Sequence, residues 1–195
     1  MLTRVADNPG YQQILRDEIE TSFKLTGSWK VGFLAHTPRL ESFTREIFRL
    51  YSSELYTTRR EVLKPVYIKS LGITLQPGTW LGTPCRAVHL DDEFYQDAAT
   101  FDPERFYDPI SNKVTMKATT TSNIYLPFGS GSALCPGRFI GVQTLQFILA
   151  YFIMNYELRS PKEGQKDLKN EKIEAGQLTV NTDVKIHIRK RALQS

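Results

Sequence analysis

The fold of this chain is decided by the stretch Phe128-Gly129-Ser130-Gly131-Ser132-Ala133-Leu134-Cys135-Pro136-Gly137-Arg138, in which a glycine-rich loop leads into a cysteine. Three glycines within nine positions indicate a backbone that needs positive φ or close approach to another group. Pro136 directly after the cysteine predicts that a helix begins there, because the N–H that proline lacks has no partner at the first helical position. Cys135 is therefore predicted to lie at a helix N-terminus, where free N–H groups favour a thiolate suited to metal ligation.

The spacing Phe-x-x-Gly-x-x-x-Cys-x-Gly in this stretch resembles the haem-binding loop of the cytochromes P450. The resemblance implies that Cys135 is the axial thiolate ligand of the iron in haem (heme, iron protoporphyrin). It also implies that Phe128 shields the sulfur from water, that Gly131 allows the turn, and that N–H groups around Gly137 and Arg138 donate to the sulfur. The alternative interpretation is a buried, inert cysteine, which is the usual environment of a lone cysteine.

Two motifs upstream extend the resemblance. Glu46 and Arg49 stand three residues apart on a predicted helix and therefore share one face, and this Glu-x-x-Arg pattern resembles the paired charges of the family's helix K. The segment Phe101-Asp102-Pro103-Glu104-Arg105-Phe106 resembles the family's Pro-Glu-Arg-Phe segment. The resemblance implies that Arg105 joins Glu46 and Arg49 in a structural network behind the haem pocket. The alternatives are an exposed ion pair on the helix and an ordinary loop arginine.

The remaining positions compared with the family concern the haem carboxylates and the substrate. Ten residues beyond Arg49, Arg59 is placed like the family's arginine that pairs with a haem propionate, and Arg60 is the second choice. Ala133 stands where the family usually carries Arg or His, and Tyr51-Ser52-Ser53 stand where it often carries prolines. Both departures are similar to the sterol-7-hydroxylase and prostacyclin-synthase branch, which implies a lipid or sterol-like substrate.

The composition is that of a globular protein, with 195 residues, 41% of them hydrophobic and 24% charged. The net charge of +4 arises from mostly scattered basic residues, so no nucleic-acid partner is predicted. Cys85 and Cys135 do not make a disulfide framework, and Cys85 is predicted to be a small buried residue. His36, His89 and His187 are too far apart in the sequence to predict a histidine metal cluster, and His89 is interpreted as structural.

The most apolar run of the sequence predicts a core helix rather than a membrane span. This run, Phe139 to Met154, is interrupted by two glutamines and a threonine. No signal peptide is predicted, because Met1 leads directly into a polar helical pattern. Full-length members of the family are typically proteins of the endoplasmic reticulum membrane, whereas no membrane anchor is predicted in this sequence.

The hydrophobic pattern predicts a mainly α chain with small β-sheets (α+β). The resemblance runs from about Asn8 to Arg191 and implies a single partial domain over residues 1–195, the C-terminal portion of the cytochrome P450 fold from helix J onward. The predicted elements are, in chain order, a helix over Tyr11–Lys24, a helix over Pro38–Tyr51, short strands within Val62–Val88, a short helix capped by an aspartate after His89, a surface loop over Asp108–Asn123, a helix over 138–156, a charged loop over Ser160–Lys172, and a closing β segment in which Val184, Ile186 and Ile188 share the buried face.

In function, the resemblance implies a haem-thiolate monooxygenase that acts on an apolar small molecule and takes electrons from an NADPH-dependent reductase. Lys113, Lys117 and Arg138 are candidates for a basic surface that meets the reductase, and solvated surface charge is the alternative. The family's oxygen-activating helix has no counterpart here, so we expect a truncated chain whose own enzymatic activity is left open. A haem-thiolate isomerase or dehydratase of lipid peroxides and an inactive fragment are the alternative functions.

Overall fold

The computed structural model of the chain describes residues 1–161, 172–174, 176–179 and 185–192. Within these residues α-helices are combined with five antiparallel pairs of short strands, so the α+β class predicted from the sequence is confirmed. The α-helices are α1 (Leu2–Ala6), α2 (Pro9–Thr26), α3 (Val31–Leu34), α4 (Pro38–Leu50), α5 (Cys85–His89) and α6 (Arg138–Asn155). The strands are β1 (Thr57–Glu61), β2 (Val66–Ile68), β3 (Ile73–Leu75), β4 (Trp80–Thr83), β5 (Tyr107–Asp108), β6 (Lys113–Val114), β7 (Tyr156–Arg159), β8 (Lys172–Glu174), β9 (Gln177–Thr179) and β10 (His187–Lys190).

Local signals determine both ends of α2. The Asn8 side chain accepts a hydrogen bond from the N–H of Tyr11 at 3.0 Å, and Pro9 occupies the first turn. At the other end, Gly27 has a left-handed φ of 63°, a conformation in which a Cβ atom would be strained. These caps extend the helix by two residues at each end of the predicted range Tyr11–Lys24.

The N-terminus of α4 is held by a carboxylate from α2. Glu18 accepts hydrogen bonds from the backbone N–H groups of Arg39 at 2.8 Å and Leu40 at 2.9 Å, donors that a helix start leaves without partners. Burial raises the pKa of Glu18 to about 7, against the lowering effect of these two N–H groups and of the Arg39 guanidinium. The start of α4 is therefore fixed relative to α2. The helix ends at Leu50, one residue before the predicted Tyr51.

The hydrophobic core lies where α1, α2, α4 and α6 meet. Aromatic rings connect these helices: Phe43 of α4 stacks on Tyr11 of α2 with centroids 6.1 Å apart, and it meets Phe101 edge-on at 5.7 Å. None of the helices in the described ranges is both long and apolar enough to cross a bilayer. The buried residues of this core are Val5, Ala6, Tyr11, Leu15, Ile19, Phe33, Leu40, Phe43, Ile47, Leu149, Ala150, Ile153 and Leu158.

The first two strand pairs carry the turns that the sequence predicts. β1 pairs with β4 and β2 pairs with β3, and the turns at Gly72 and Gly78 have left-handed φ of 64° and 85°. The predicted strands within Val62–Val88 are therefore confirmed, except that the end of this range folds as α5. The short helix thus precedes the aspartates after His89 instead of following them. Those aspartates accept hydrogen bonds from later backbone N–H groups and stabilise turns.

The end of the chain departs from its predicted burial. β10 pairs with β7, but Ile188 is 48% exposed. Ile186 packs partly buried against the core, whereas Val184 and most of Ser160–Lys172 lie outside the described residues. Ile188 stands opposite Leu158 in the register of β7 and β10, so the two side chains share one face of the ribbon, but the core covers Leu158 fully and leaves Ile188 half exposed. The prediction that Ile188 is buried is therefore wrong.

A buried side-chain amide joins α2 to β7. Gln12 Nε2 donates to the Leu158 carbonyl at 2.9 Å, and Gln12 Oε1 accepts from the Leu158 N–H at 3.0 Å. Both residues are buried, so the amide satisfies two backbone groups that water does not reach.

We predict that Gln12→Leu lowers the free energy of unfolding by about 1–3 kcal/mol, because both buried backbone groups of Leu158 lose their partner. Urea unfolding followed by circular dichroism measures this change. The matched control is Gln76→Leu, since Gln76 is exposed before the turn at Gly78 and is expected to change stability by less than about 0.5 kcal/mol. Equal losses in the two variants would contradict the role given to Gln12.

Candidate functional site

The cysteine loop, defined here as residues 128–138, is held closed by its own backbone. The Cys135 N–H donates to the Phe128 carbonyl at 3.0 Å, and Gly129 and Gly131 have left-handed φ of 75° and 64°. A Cβ atom at Gly129 would lie 3.6 Å from a carbonyl oxygen of the same loop. The two glycines therefore occupy backbone conformations that other residues adopt only with strain.

The helix after the cysteine begins later than the sequence predicts. Gly137 is the N-cap and Arg138 is the first residue of α6, because the first helical hydrogen bond runs from the Gly141 N–H to the Gly137 carbonyl at 2.9 Å. Pro136 lies outside the helix, so its predicted place at the first helical position is wrong. Cys135 is a free, solvent-exposed thiol, and a Cβ atom at Gly137 would lie 4.0 Å from its Sγ. The alternative of a buried cysteine is therefore also wrong.

Side chains at both ends attach the loop to the rest of the protein. Phe128 is half-buried, and its ring centroid lies 5.1 Å from that of Phe48 on α4. Arg138 donates from Nη1 to the Cys135 carbonyl at 2.9 Å and from Nε to the Thr119 carbonyl at 3.1 Å. The hydrogen bonds to sulfur implied for the backbone at Arg138 and its neighbour stay a prediction.

Glu46, Arg49 and Arg105 form one network of ion pairs. Arg49 donates from Nε and Nη2 to the two oxygens of the Glu46 carboxylate, each at 2.7 Å, and both side chains are fully buried. Arg105 Nε donates to Glu46 Oε1 at 3.2 Å, and its other nitrogens donate to carbonyls within residues 96–100. Charges removed from water persist in a fold only when paired and hydrogen-bonded in this way.

The same ion pair organises the irregular segment between α5 and β5. Arg49 Nη1 donates to the carbonyls of His89 at 2.5 Å and Ala98 at 2.7 Å. The Glu46 carboxylate accepts from the N–H of Asp102 at 3.1 Å. These bonds supply the backbone partners that a helix or a sheet supplies elsewhere.

A protein-family profile described as "Cytochrome P450" matches residues 1–186 of the chain. The chain belongs to the cytochrome P450 family. This membership accounts for the joint presence of the cysteine loop, the Glu46–Arg49 pair and Arg105 in one structure.

Several fungal members of the cytochrome P450 family are similar to the chain. The cytochrome P450 monooxygenase cnsC of Penicillium expansum is 40% identical over 98% of the chain and 41% of its own length. The bicoumarin synthase ktnC of Aspergillus niger is 42% identical over 80% of the chain and 38% of its own length. The cytochrome P450 monooxygenase dtpC of Aspergillus flavus is 33% identical over 77% of the chain and 81% of its own length. The chain thus spans about two fifths of the length of the first two relatives.

Haem is the cofactor of the cytochromes P450, and the residues of the cysteine loop fit it. Cys135 presents a free, exposed sulfur, which is the soft donor that haem iron takes as a thiolate ligand. Gly137 carries no side chain where a Cβ atom would stand 4.0 Å from this sulfur. The exposed sulfur and the side chain that is missing beside it fit a flat ring system bound through Sγ.

Of the two arginines predicted to pair with a haem carboxylate, Arg60 lies closer to the cysteine loop. Arg60 Nη2 is 3.9 Å from the position of a Cβ atom at Gly131, and Thr58 Oγ1, two residues earlier on β1, is 3.3 Å from a serine hydroxyl of the loop. Arg59 pairs instead with Glu54 at 3.1 Å. This arrangement favours Arg60 over the first choice, Arg59.

Two charged residues of α4 that sequence reasoning missed fix the segment before the cysteine loop. Glu41 accepts from the Ala118 N–H at 2.6 Å and from Gln146 Nε2 at 2.8 Å, so it joins α4 to α6. The Arg45 guanidinium lies 3.6 Å from the centroid of the Tyr125 ring. Only their position beside the Glu-x-x-Arg pair, on the same short helix, could have signalled these roles.

The predicted basic surface is assembled only in part. Lys113 and Lys117 are exposed, but the range Asp108–Asn123 is not a plain surface loop, because it contains the hairpin β5–β6 and the fully buried Ala118. The Arg138 guanidinium is occupied by two carbonyls. A contact of these residues with a reductase stays a prediction.

We predict that Glu46→Gln lowers the free energy of unfolding by about 3–5 kcal/mol, because it leaves the buried Arg49 guanidinium without a counter-charge. The matched control is Glu104→Gln, which removes one partner of the partly exposed Arg39–Glu104 pair and is expected to cost at most about 1 kcal/mol. Urea unfolding of both variants gives the comparison. A loss for Glu46→Gln no larger than that of the control would show that the buried pair does not stabilise the fold.

Proposed function

We propose that Cys135 ligates haem iron as a thiolate and that the whole protein is a monooxygenase that inserts one oxygen atom into an apolar small molecule. The observation that carries this proposal is the free, exposed Cys135 sulfur on a loop whose shape is determined by left-handed glycines. Membership of the cytochrome P450 family supports it, because that family uses haem with an axial thiolate. An NADPH-dependent reductase is the proposed source of electrons.

The chain's own residues have separable tasks in this proposal. When bound, a haem with a thiolate ligand supplies oxygen chemistry in which the thiolate favours cleavage of the O–O bond. Cys135 binds the iron from a loop that its N–H bond to the Phe128 carbonyl keeps closed. The Phe128 ring, held by Phe48, limits the access of water to the sulfur side. Arg60 pairs with a haem carboxylate through a charge-assisted hydrogen bond.

The proposed substrate is an apolar aromatic molecule. Support comes from two relatives named bicoumarin synthase, ktnC of Aspergillus niger and desC of Aspergillus desertorum, which are 42% and 39% identical to the chain. The segment Ser52–Thr58, which we expect from the resemblance to border the substrate side of the haem, includes the exposed aromatic ring of Tyr56. The lipid or sterol-like substrate predicted from the sequence is the second candidate. Shifts of the Soret band on adding coumarin or cholesterol to haem-loaded protein distinguish the two.

We predict that the wild-type chain takes up haem and, when reduced under carbon monoxide, shows the strongly red-shifted Soret band of a thiolate ligand. Cys135→Ala is expected to abolish that band, because the sulfur donor is removed. The matched control is Cys85→Ala, which removes the fully buried cysteine and is expected to keep the band. A red-shifted band that survives in Cys135→Ala, or its absence from the wild-type chain after haem addition, would rule out the proposed ligation.

A second measurement separates the proposed activity from its nearest alternative. Oxygen insertion consumes reducing equivalents, so the haem-loaded protein should act on substrate only with an electron donor present. Turnover of a lipid hydroperoxide without any donor would instead identify an isomerase or dehydratase.

A further inference from the structure

His89 lies between the Glu46–Arg49 pair and the start of the cysteine loop. It is the last residue of α5 and is fully buried. Its Nδ1 is 2.8 Å from the Arg49 carbonyl oxygen, and its Nε2 is 2.8 Å from the Leu126 nitrogen. A carbonyl only accepts and a backbone N–H only donates, so the ring is the neutral tautomer with its proton on Nδ1.

The two ends of this bridge are themselves anchored. Arg49 Nη1 donates to the His89 carbonyl at 2.5 Å, so Arg49 and His89 hold each other through two hydrogen bonds. Leu126 uses its N–H for His89 and its carbonyl for the N–H of Gly129 at 3.0 Å. Gly129 is the first left-handed glycine of the cysteine loop, so a single backbone residue separates the His89 ring from the turn.

We propose that neutral His89 is a positioning residue that transmits the location of the buried Glu46–Arg49 pair to the cysteine loop by holding the Leu126 N–H. The consequence for haem rests on the proposed function, because it assumes that Cys135 is the ligand. The bridge itself is a property of the chain without haem.

The groups around the ring explain why it stays neutral. Arg49 and Arg45 face it from α4, the Cys85 sulfur lies 3.7 Å from both ring nitrogens, and the Tyr125 ring stacks on it with centroids 5.6 Å apart. Burial lowers the pKa of His89 to about 4, and the charges of Arg49 and Arg45 add to this, whereas the hydrogen bond to the Arg49 carbonyl opposes it. Protonation of Nε2 would set an N–H against the Leu126 N–H and break the bridge.

The sign of the resulting pH dependence follows from the direction of this shift. The folded pKa of about 4 lies below the ordinary value of 6.5, so the neutral form is favoured by folding. The stabilisation is complete above pH 6.5 and is lost as the pH falls through about 4. Glu18 acts in the opposite direction, since its raised pKa contributes stability that is lost as the pH rises through about 7. Comparing variants that all retain Glu18 removes its contribution.

Two substitutions separate the ends of the bridge. In His89→Asn the amide nitrogen stands where Nδ1 was and keeps the bond to the Arg49 carbonyl, whereas in His89→Gln the amide oxygen reaches the place of Nε2 and keeps the bond to Leu126. We expect hydrogen exchange of the Leu126 amide in the haem-free chain to become about tenfold faster in His89→Asn and to stay near the wild-type rate in His89→Gln. The exposed His36→Asn is the control and should leave this rate unchanged.

Further readouts keep the test decisive. Equal acceleration in both variants, or none in either, would overturn the proposal, because a ring that acts by packing does not distinguish Asn from Gln. If neither variant folds, the ¹⁵N spectrum of wild-type His89 at neutral pH decides, since a proton on Nε2 excludes the bridge.

His89→Gln should also lose less thermal stability than the wild type between pH 6.5 and 4. An equal loss would count against the bridge.

The haem-loaded protein tests the second step separately. There, His89→Gln should keep the red-shifted Soret band and His89→Asn should lose part of it. If the wild-type chain takes up no haem, the proposed function fails while the exchange rates still decide the role of His89.

Discussion

The structure depends on the burial of one ion pair, Glu46 with Arg49. Removing both charges from water is costly, and their mutual attraction compensates only when every remaining donor and acceptor is satisfied. In this chain the extra partners are backbone groups of residues 89–102, which contains little regular structure. The pair and the segment therefore require each other: without the segment the charges are underbonded, and without the charges the segment has no partners for its backbone.

Three contacts connect the helices α4 and α5 to the start of the cysteine loop. The Phe48 ring packs on Phe128, the Arg45 guanidinium lies over Tyr125, and the His89 ring holds Leu126. All three reach the short stretch 125–128, immediately before the left-handed glycines. A helix of 13 residues thereby determines where a loop about 80 positions later begins, although no strand or helix of its own holds that stretch.

Sequence reasoning succeeded where the signal is local and failed where it depends on distant packing. The helices around Ile19 and Ile47 follow from hydrophobic spacing, and the cysteine loop follows from the positions of its glycines. By contrast, the choice between Arg59 and Arg60 depends on which face of β1 meets the loop, and an irregular register between Thr57 and Arg60 decides it. The hydrogen bond between His89 and Leu126 joins residues 37 positions apart, so no spacing in the sequence predicts it.

The way the cysteine loop is fixed bears on how it can bind a flat ligand. Its shape arises from the backbone hydrogen bond between the Cys135 N–H and the Phe128 carbonyl, from the conformations of Gly129 and Gly131, and from side-chain contacts with α4. None of these interactions uses the exposed Cys135 sulfur. Ligation at Sγ therefore need not break any of these contacts. Because a preorganised site loses little conformational entropy on binding, more of the free energy of the sulfur–iron bond is available as affinity. If Cys135 ligates haem iron as proposed, the contacts that fix the loop therefore contribute to the affinity for haem.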